Sequence, residues 1–199
     1  MTSTFWNERF GQAEYVYGKM PNVFFAEQLQ HLSPGHLLLP CEGEGRNAIF
    51  ARQLGWDVLA FDSSTAGREK ALQLAQEKGL TLDYQIADAT QIELPEAAFD
   101  VLALVYAHFP VALRAGIHAR LLGALKPGGV VILEGFHVQQ LGKPSGGPKD
   151  VQMLFSEELL REDFADMNIT LLQRASPVLN EGKFHQGAAE VIRLVGTKK

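Results

Sequence analysis

Five short apolar runs punctuate the first two thirds of the chain: HLLLPC (36–41), WDVLAF (56–61), LDYQIA (82–87), FDVLALVY (99–106) and VVILEGF (130–136). Each is of strand length, rich in Val, Leu, Ile and aromatics, and mostly apolar without strict alternation. Strands buried on both faces of a parallel sheet have this texture. The stretches between them are amphipathic. GRNAIFARQL (45–54) places Ala48, Ile49, Ala51 and Leu54 near one side, and STAGREKALQLAQEK (64–78) opens on capping residues and stops at Gly79. PVALRAGIHARLLGAL (110–125) sets Leu113, Ile117, Leu121 and Leu125 at helical spacing and puts His118 on the helix surface. KPGG (126–129) then reads as a turn back into a strand. This alternation predicts an α/β fold, a doubly wound three-layer α/β/α sandwich with right-handed crossovers.

Beyond residue 136 the pattern changes. VQQLGKPSGGPKD (138–150) reads as a mobile loop and SEELLREDF (156–164) as a short helix. NITLLQRAS (168–176) and GAAEVIRLVGT (187–197) are strand candidates joined by 177–186, which predicts a terminal antiparallel hairpin. No repeat or break in composition divides the chain, so residues 1–199 are expected to be one domain. Within it, 1–34 form an N-terminal lid or helical segment and 35–199 the α/β core.

Composition narrows the function. With 46% hydrophobic residues and a net charge of −5, the chain can build a core, and its acidic balance argues against nucleic acid as partner. Cys41 stands alone, which excludes an internal disulfide or a thiolate metal site, and no metal is expected. No secretory signal is visible and no apolar run is long enough for a bilayer. The expectation is a cytoplasmic protein, monomer or weak homodimer, with a small-molecule substrate.

The candidate chemistry lies at strand ends. The first strand runs into a turn containing Gly43-x-Gly45-x-x-Ala48 that opens a helix, a place for close backbone approach and free amide N–H groups. Nineteen residues past Gly43 the second strand ends at Asp62, suited to the two hydroxyls of a ribose. The third ends at Asp88, within reach of an adenine amino group. All three tips fall on one edge of the sheet, where open α/β folds bind ligands.

GEGRNA, the strand ending at Asp62, IADAT, FDVLALVYAHFP and LKPGG follow in order, and the chain thereby resembles a class I S-adenosylmethionine-dependent methyltransferase. Through WNERFGQAEYVYGKMPNVFF and FHQGAAEVIRLV it is most similar to the small bacterial group of tellurite-resistance and thiopurine S-methyltransferases. The resemblance implies a Rossmann-like, mostly parallel seven-stranded sheet with an antiparallel terminal hairpin strand, and S-adenosyl-L-methionine as cofactor. It places Gly43 and Gly45 under the methionine part, Asp62 at the ribose, Asp88 and Ala89 at the adenine, and the backbone of Val105 and Tyr106 beside them. Cys41, Glu42, Asn47 and Ser63 complete the implied cofactor set. The acidic residue that usually ends the first strand is replaced by Leu39, followed by Pro40, so Glu42 or Glu44 is expected to meet the cofactor's ammonium group.

Methyl transfer demands placement of a nucleophile more than an acid or base. Candidates for the reacting groups are His108, as proton acceptor, with Tyr17 and His185; Lys143 and Lys149 could attract an acid group. The implied acceptor is a thiol or a tellurite- or selenite-type nucleophile. The rival readings are an NAD(P)-dependent oxidoreductase, to which the glycine turn and Tyr15-x-x-x-Lys19 also point, and a cofactor-binding protein without catalysis.

Overall fold

The computed structural model describes residues 2–199. The apolar runs form β1 (His36–Pro40), β2 (Asp57–Asp62), β3 (Asp83–Ile86), β4 (Phe99–Val105) and β5 (Leu125–Phe136). Interleaved are α3 (Arg46–Gln53), α4 (Thr65–Glu77) and α5 (Val111–Ala124); α1 (Ser3–Phe10) and α2 (Val23–Leu29) precede β1. The chain continues through α6 (Glu157–Asp163), β6 (Met167–Ala175), a small pair β7 (Val178–Asn180) and β8 (Gln186–Ala188), and β9 (Val191–Lys198).

Seven strands make one sheet in the order β3-β2-β1-β4-β5-β9-β6. β1 to β5 run parallel, while β9 pairs antiparallel with β5 on one side and with β6 on the other. The reversal of order between β1 and β4 is the switch point at which such sheets open a crevice.

Side-chain alternation explains why both faces are covered. Leu38, Leu102, Leu104, Val131 and Leu133 point to one face and meet Ile117 and Leu121 of α5 and Leu160 of α6. Leu37, Leu39, Val101, Ala103 and Ile132 point to the other and meet Phe25 and Leu29 of α2, Ala48 and Ala51 of α3 and Ala71 of α4. Each fully buried Leu or Phe in these layers contributes about 1.5–3 kcal/mol. The strands are therefore apolar on successive residues because each successive residue enters a different core.

The structure departs from the sequence expectations in four places. KPGG lies inside β5, whose pairing with β4 begins at Leu125 and shifts register between Phe99 and Val101, with Gly128 taking φ 77°. Leu113 is 46% exposed, since α5 starts at the rim of the crevice and its buried stripe begins only at Arg114 and Ile117. His118 is buried, not on the surface, with Nδ1 at 2.8 Å from the Asp163 carboxylate of α6. Residues 138–150 are held in place by buried polar groups. Gln140 donates to Ser145 Oγ and Gly146 O and accepts the Glu190 N–H, and Ser145 donates to Ala188 O.

Candidate active site

A cleft of ≈ 940 Å³ opens at the carboxyl ends of β1 to β5, bounded by the N-terminal segment. The turn after β1 forms its floor. Cys41 (φ 56°), Gly43 (φ 59°) and Gly45 (φ 86°) all take left-handed backbone, a conformation costly for the cysteine. A side chain on Gly43 would meet Phe10 Cζ at 2.9 Å, and one on Gly45 would meet Ala71 Cβ at 2.6 Å. Gly45 thus lets α4 approach rather than lining the cleft, contrary to its expected place beneath the cofactor.

The two acidic residues of the turn have separate duties. Glu42 Oε1 accepts the N–H groups of Asn47 and Ala48 at 2.8 Å each, capping α3 from outside the helix. Burial pushes its carboxyl up to about 7 despite these bonds. Glu44 accepts the N–H groups of Val16 and Tyr17 and pairs with Lys70 at 2.7 Å, so it anchors the N-terminal segment. Of the two, Glu42 keeps capacity toward the cleft, through Oε2, which accepts only from Asn47 Nδ2 at 3.1 Å. Asn47 is occupied by that bond and by the Asn22 N–H its Oδ1 accepts, which makes it a strut rather than a free ligand group.

At the tip of β2, Asp62 accepts Gly43 N–H on Oδ2 (3.1 Å) and Ser64 N–H on Oδ1 (2.9 Å). Burial outweighs these donors and raises its carboxyl to about 6. Tyr84 of β3 donates its hydroxyl to Gly43 O at 2.6 Å, tying the glycine turn to the next strand. Asp88, past the tip of β3, uses Oδ1 to hold Thr90 and is kept below the usual carboxylate range by those bonds. Ser63, Asp88 and Ala89 line the same cleft as Asp62. The Ala89 N–H is without a partner among the described residues although Ala89 is buried.

This donor set fits an adenosyl cofactor. A buried carboxylate with spare lone pairs suits ribose hydroxyls, and an orphan backbone N–H beside a second carboxylate oxygen suits the edge of adenine. Burial also drives the Cys41 thiol far above its ordinary range, with Asp62, Asp88 and Glu42 adding to the effect, so it stays protonated and is no nucleophile.

Val105 and Tyr106 end β4 at the cleft, Tyr106 with φ 53°. Its hydroxyl donates to Glu134 Oε1 at 3.1 Å, and its ring stacks on Phe136 at 4.7 Å. Glu134 is buried in β5 and also takes Asn22 Nδ2 (2.6 Å) and Arg193 Nε (2.6 Å). Asn22 reaches onward to Glu181, which pairs with Arg46 at 2.9 Å. Nothing in the spacing of Asn22, Arg46, Glu134, Glu181 and Arg193 announces this network, because its members are far apart in sequence. The one available signal was a glutamate inside the apolar run VVILEGF.

The histidines reverse their expected roles. His108 lies at 2.7 Å from Met153 O through Nδ1, and its Nε2 accepts the Phe136 N–H at 3.0 Å. Burial lowers it to about 4. A neutral ring with both nitrogens bonded inside the protein has no lone pair for a substrate proton, so His108 is a brace between strand ends. His185 instead presents an open nitrogen. Its Nδ1 lies 3.4 Å from Glu181, and its Nε2, on a ring lining the cleft, has no partner among the described residues. Rings of Tyr106 (4.4 Å), Tyr17 (4.5 Å) and Phe136 (5.2 Å) surround it, and burial lowers its pKa.

Tyr17 accepts Arg9 Nη1 at 2.9 Å and keeps its own proton, burial having raised it. The N-terminal segment is docked by Asn7, whose Oδ1 accepts from Ser64, Thr65 and the Ala66 N–H at the start of α4. Lys149 lines the cleft, whereas Lys143 is paired with Glu190. Tyr15 and Lys19, the pair that suggested a reductase, lie on α4: Tyr15 donates to Lys70 O and Lys19 pairs with Glu77. Among the described residues no helix is long and apolar enough to cross a membrane, and no cluster suited to a metal ion is present.

Residues 39–129 match the family described as Methyltransferase domain. No curated protein matches the sequence. The fold is similar to a structure from work on the conversion of a disulfide bond into a thioacetal group during echinomycin biosynthesis. The TM-score there is 0.77 at 16% identity, covering 99% of this chain and 92% of that one. TehB from Haemophilus influenzae superposes with a TM-score of 0.72 at 14% identity, over 99% of this chain and 67% of its own. The Burkholderia thailandensis 1,6-didemethyltoxoflavin-N1-methyltransferase gives 0.65 at 21% identity, covering 88% and 76%.

Proposed function

We propose that this chain is a methyltransferase with S-adenosyl-L-methionine as its cofactor and that it methylates a soft nucleophile on a small acceptor, a thiol or a reduced chalcogen oxyanion, beside His185; the family match over residues 39–129 supports the reading. The observation that carries the reading is the ring of His185, which lines the cleft among Tyr17, Tyr106 and Phe136 and keeps Nε2 without a partner among the described residues. In support, one structural neighbour comes from work on disulfide-to-thioacetal conversion and another is TehB.

When bound, the sulfonium cofactor supplies a methyl carbon open to in-line displacement. Asp62 would hold the ribose, Asp88 and the Ala89 N–H the adenine, and Glu42 the ammonium group. The aromatic rings around His185 keep water from the reacting end and favour a cation against their faces. His185, neutral at neutral pH because burial lowers its pKa, takes the proton that a thiol or hydroxyl acceptor must lose. Glu181, 3.4 Å from Nδ1, steadies the ring as that proton arrives.

We assign residues 1–34, of which 2–34 are described, as a lid over the 35–199 core, because Trp6, Arg9 and Tyr17 line the cleft. The test is transfer of a radiolabelled methyl group to aromatic and aliphatic thiols, selenite and tellurite. Modification of an unrelated acceptor with none of these touched would sink the acceptor assignment.

A further inference from the structure

Beyond its place in the lid, Arg9 has no chemical role in the reading above, yet it lines the cleft. Its guanidinium stands between aromatic rings, with Cζ 4.3 Å from the centroid of Phe184, 4.7 Å from Phe5 and 5.8 Å from Trp6. Stacking by the faces leaves the N–H edge of the group for hydrogen bonds. One of those bonds goes to the Tyr17 hydroxyl at 2.9 Å. Nε and Nη2 have no acceptor among the described residues, and neither has the Tyr17 O–H proton.

The nearby carboxylates cannot complete the set. Glu44 is taken by Lys70 and two backbone N–H groups, and Glu181 by Arg46, Asn22 and His185. The corner is therefore rich in donors and short of acceptors; farther along the same cleft Lys149 and Asp150 line the wall side by side, with Asp150 Oδ1 taken by the Gln152 N–H. The corner adjoins His185, whose ring lies 4.5 Å from Tyr17, rather than Asp88 and Ala89.

From this geometry we infer that Arg9 and Tyr17 form a carboxylate-binding corner that takes an acid group on the methyl acceptor. Two oxygens of a planar carboxylate match a guanidinium edge and a neighbouring hydroxyl, and the stacked rings of Phe5 and Phe184 hold the fork in place. Of the two acceptors proposed above, the corner favours the thiol, carried on a small organic acid at some distance from its carboxylate. The inference rests on the methyltransferase reading for its cofactor, but the corner can be tested without turnover.

Benzoate and benzamide serve as matched probes, read by the emission of Trp6 beside Arg9, on protein saturated with S-adenosylhomocysteine. Benzoate should bind saturably and benzamide roughly tenfold more weakly or worse. Arg9→Gln should cost benzoate about tenfold, Arg9→Lys should restore only part, and Tyr17→Phe should cost about threefold. Affinity for S-adenosylhomocysteine, by calorimetry, should stay within about twofold of wild type in all three, which have no part in the ribose or adenine contacts. Equal binding of the two probes, or benzoate affinity unchanged in both Arg9→Gln and Tyr17→Phe, overturns the corner. Loss of S-adenosylhomocysteine affinity in Arg9→Gln, with 5′-methylthioadenosine unaffected, moves the carboxylate to the cofactor and overturns its assignment to the acceptor. Failure of wild type to bind S-adenosylhomocysteine would instead count against the cofactor, and benzoate titration of the ligand-free chain would still decide the corner.

Discussion

Phe136 donates its backbone N–H to His108 Nε2 at 3.0 Å, and this bond removes the ring of His108 from proton chemistry. With Nδ1 bonded to Met153 O, the imidazole joins β5 to the segment before α6. His108→Ala should therefore lower stability by about 2–4 kcal/mol, through a cavity and an unpaired buried N–H. His185→Ala, which opens space at the cleft wall but leaves no backbone N–H unpaired, should cost less stability than that, leave cofactor affinity nearly unchanged and reduce turnover by roughly 10²–10⁴-fold. Thermal melts, calorimetry and methyl-transfer rates on the two variants separate the roles; the opposite pattern would restore His108 as the proton acceptor.

Asp62→Ala removes the acceptor for two backbone N–H groups as well as the ribose contact. Affinity for S-adenosylhomocysteine should fall at least roughly tenfold, consistent with charge-assisted bonds worth about 1.5–3 kcal/mol. Calorimetry on the folded variant gives the answer directly, and an unchanged Kd would place the ribose elsewhere.

The same residue sets a pH dependence. Its carboxyl, raised by burial to about 6, must be ionised to accept from two hydroxyls. S-adenosylhomocysteine affinity should accordingly be steady above about pH 7 and weaken as pH falls through 6. Titrations at several pH values, with Asp62→Asn as a control whose profile is flatter, check the assignment.

Glu42 affects stability with the sign of a buried acid. Its folded pKa, raised to about 7, lies above that of the unfolded chain, so the folded state holds the proton more tightly. Stability from this group is therefore present at low pH and declines as pH rises from about 4.5 to about 7. Melting temperatures of wild type and Glu42→Gln should diverge across that interval, with wild type losing ground as pH rises; parallel curves would remove Glu42 as the cause.

Gly45→Ala should cost more than about 2 kcal/mol, since the added methyl meets Ala71 and the left-handed backbone adds strain. Tyr84→Phe, by contrast, removes only the bond to Gly43 O and should cost about 1 kcal/mol. Denaturant melts of the two variants should rank them in that order.

The fold was legible because its signals are local. Each buried strand announces itself by a continuous apolar run, and the cleft residues Asp62 and Asp88 stand at the ends of such runs. The polar interior was not, because hydrogen bonds choose partners in space: Asn22 meets Glu134, and Glu42 spends its carboxylate on the helix that follows it. The residue types at His108 and His185 are identical. What separates them is which ring nitrogens the surrounding backbone has already claimed, and that is fixed only once β4, β5 and the β7–β8 pair are assembled. Likewise 138–150 looked loose from its glycines and prolines, while Gln140 and Ser145 hold it by bonds to a segment some 50 residues later.

Asn22 binds Glu134 from beneath and Glu181 from the side, just where the leading segment enters the body of the protein. Shortening the chain past that point would do more than uncover the crevice: it would strip a donor from two interior carboxylates, leaving Glu134 to Arg193 and Tyr106 and Glu181 to Arg46 and His185. The leading residues are part of the protein's internal wiring, as much as the closing strand β9 that runs to Lys198 between β5 and β6.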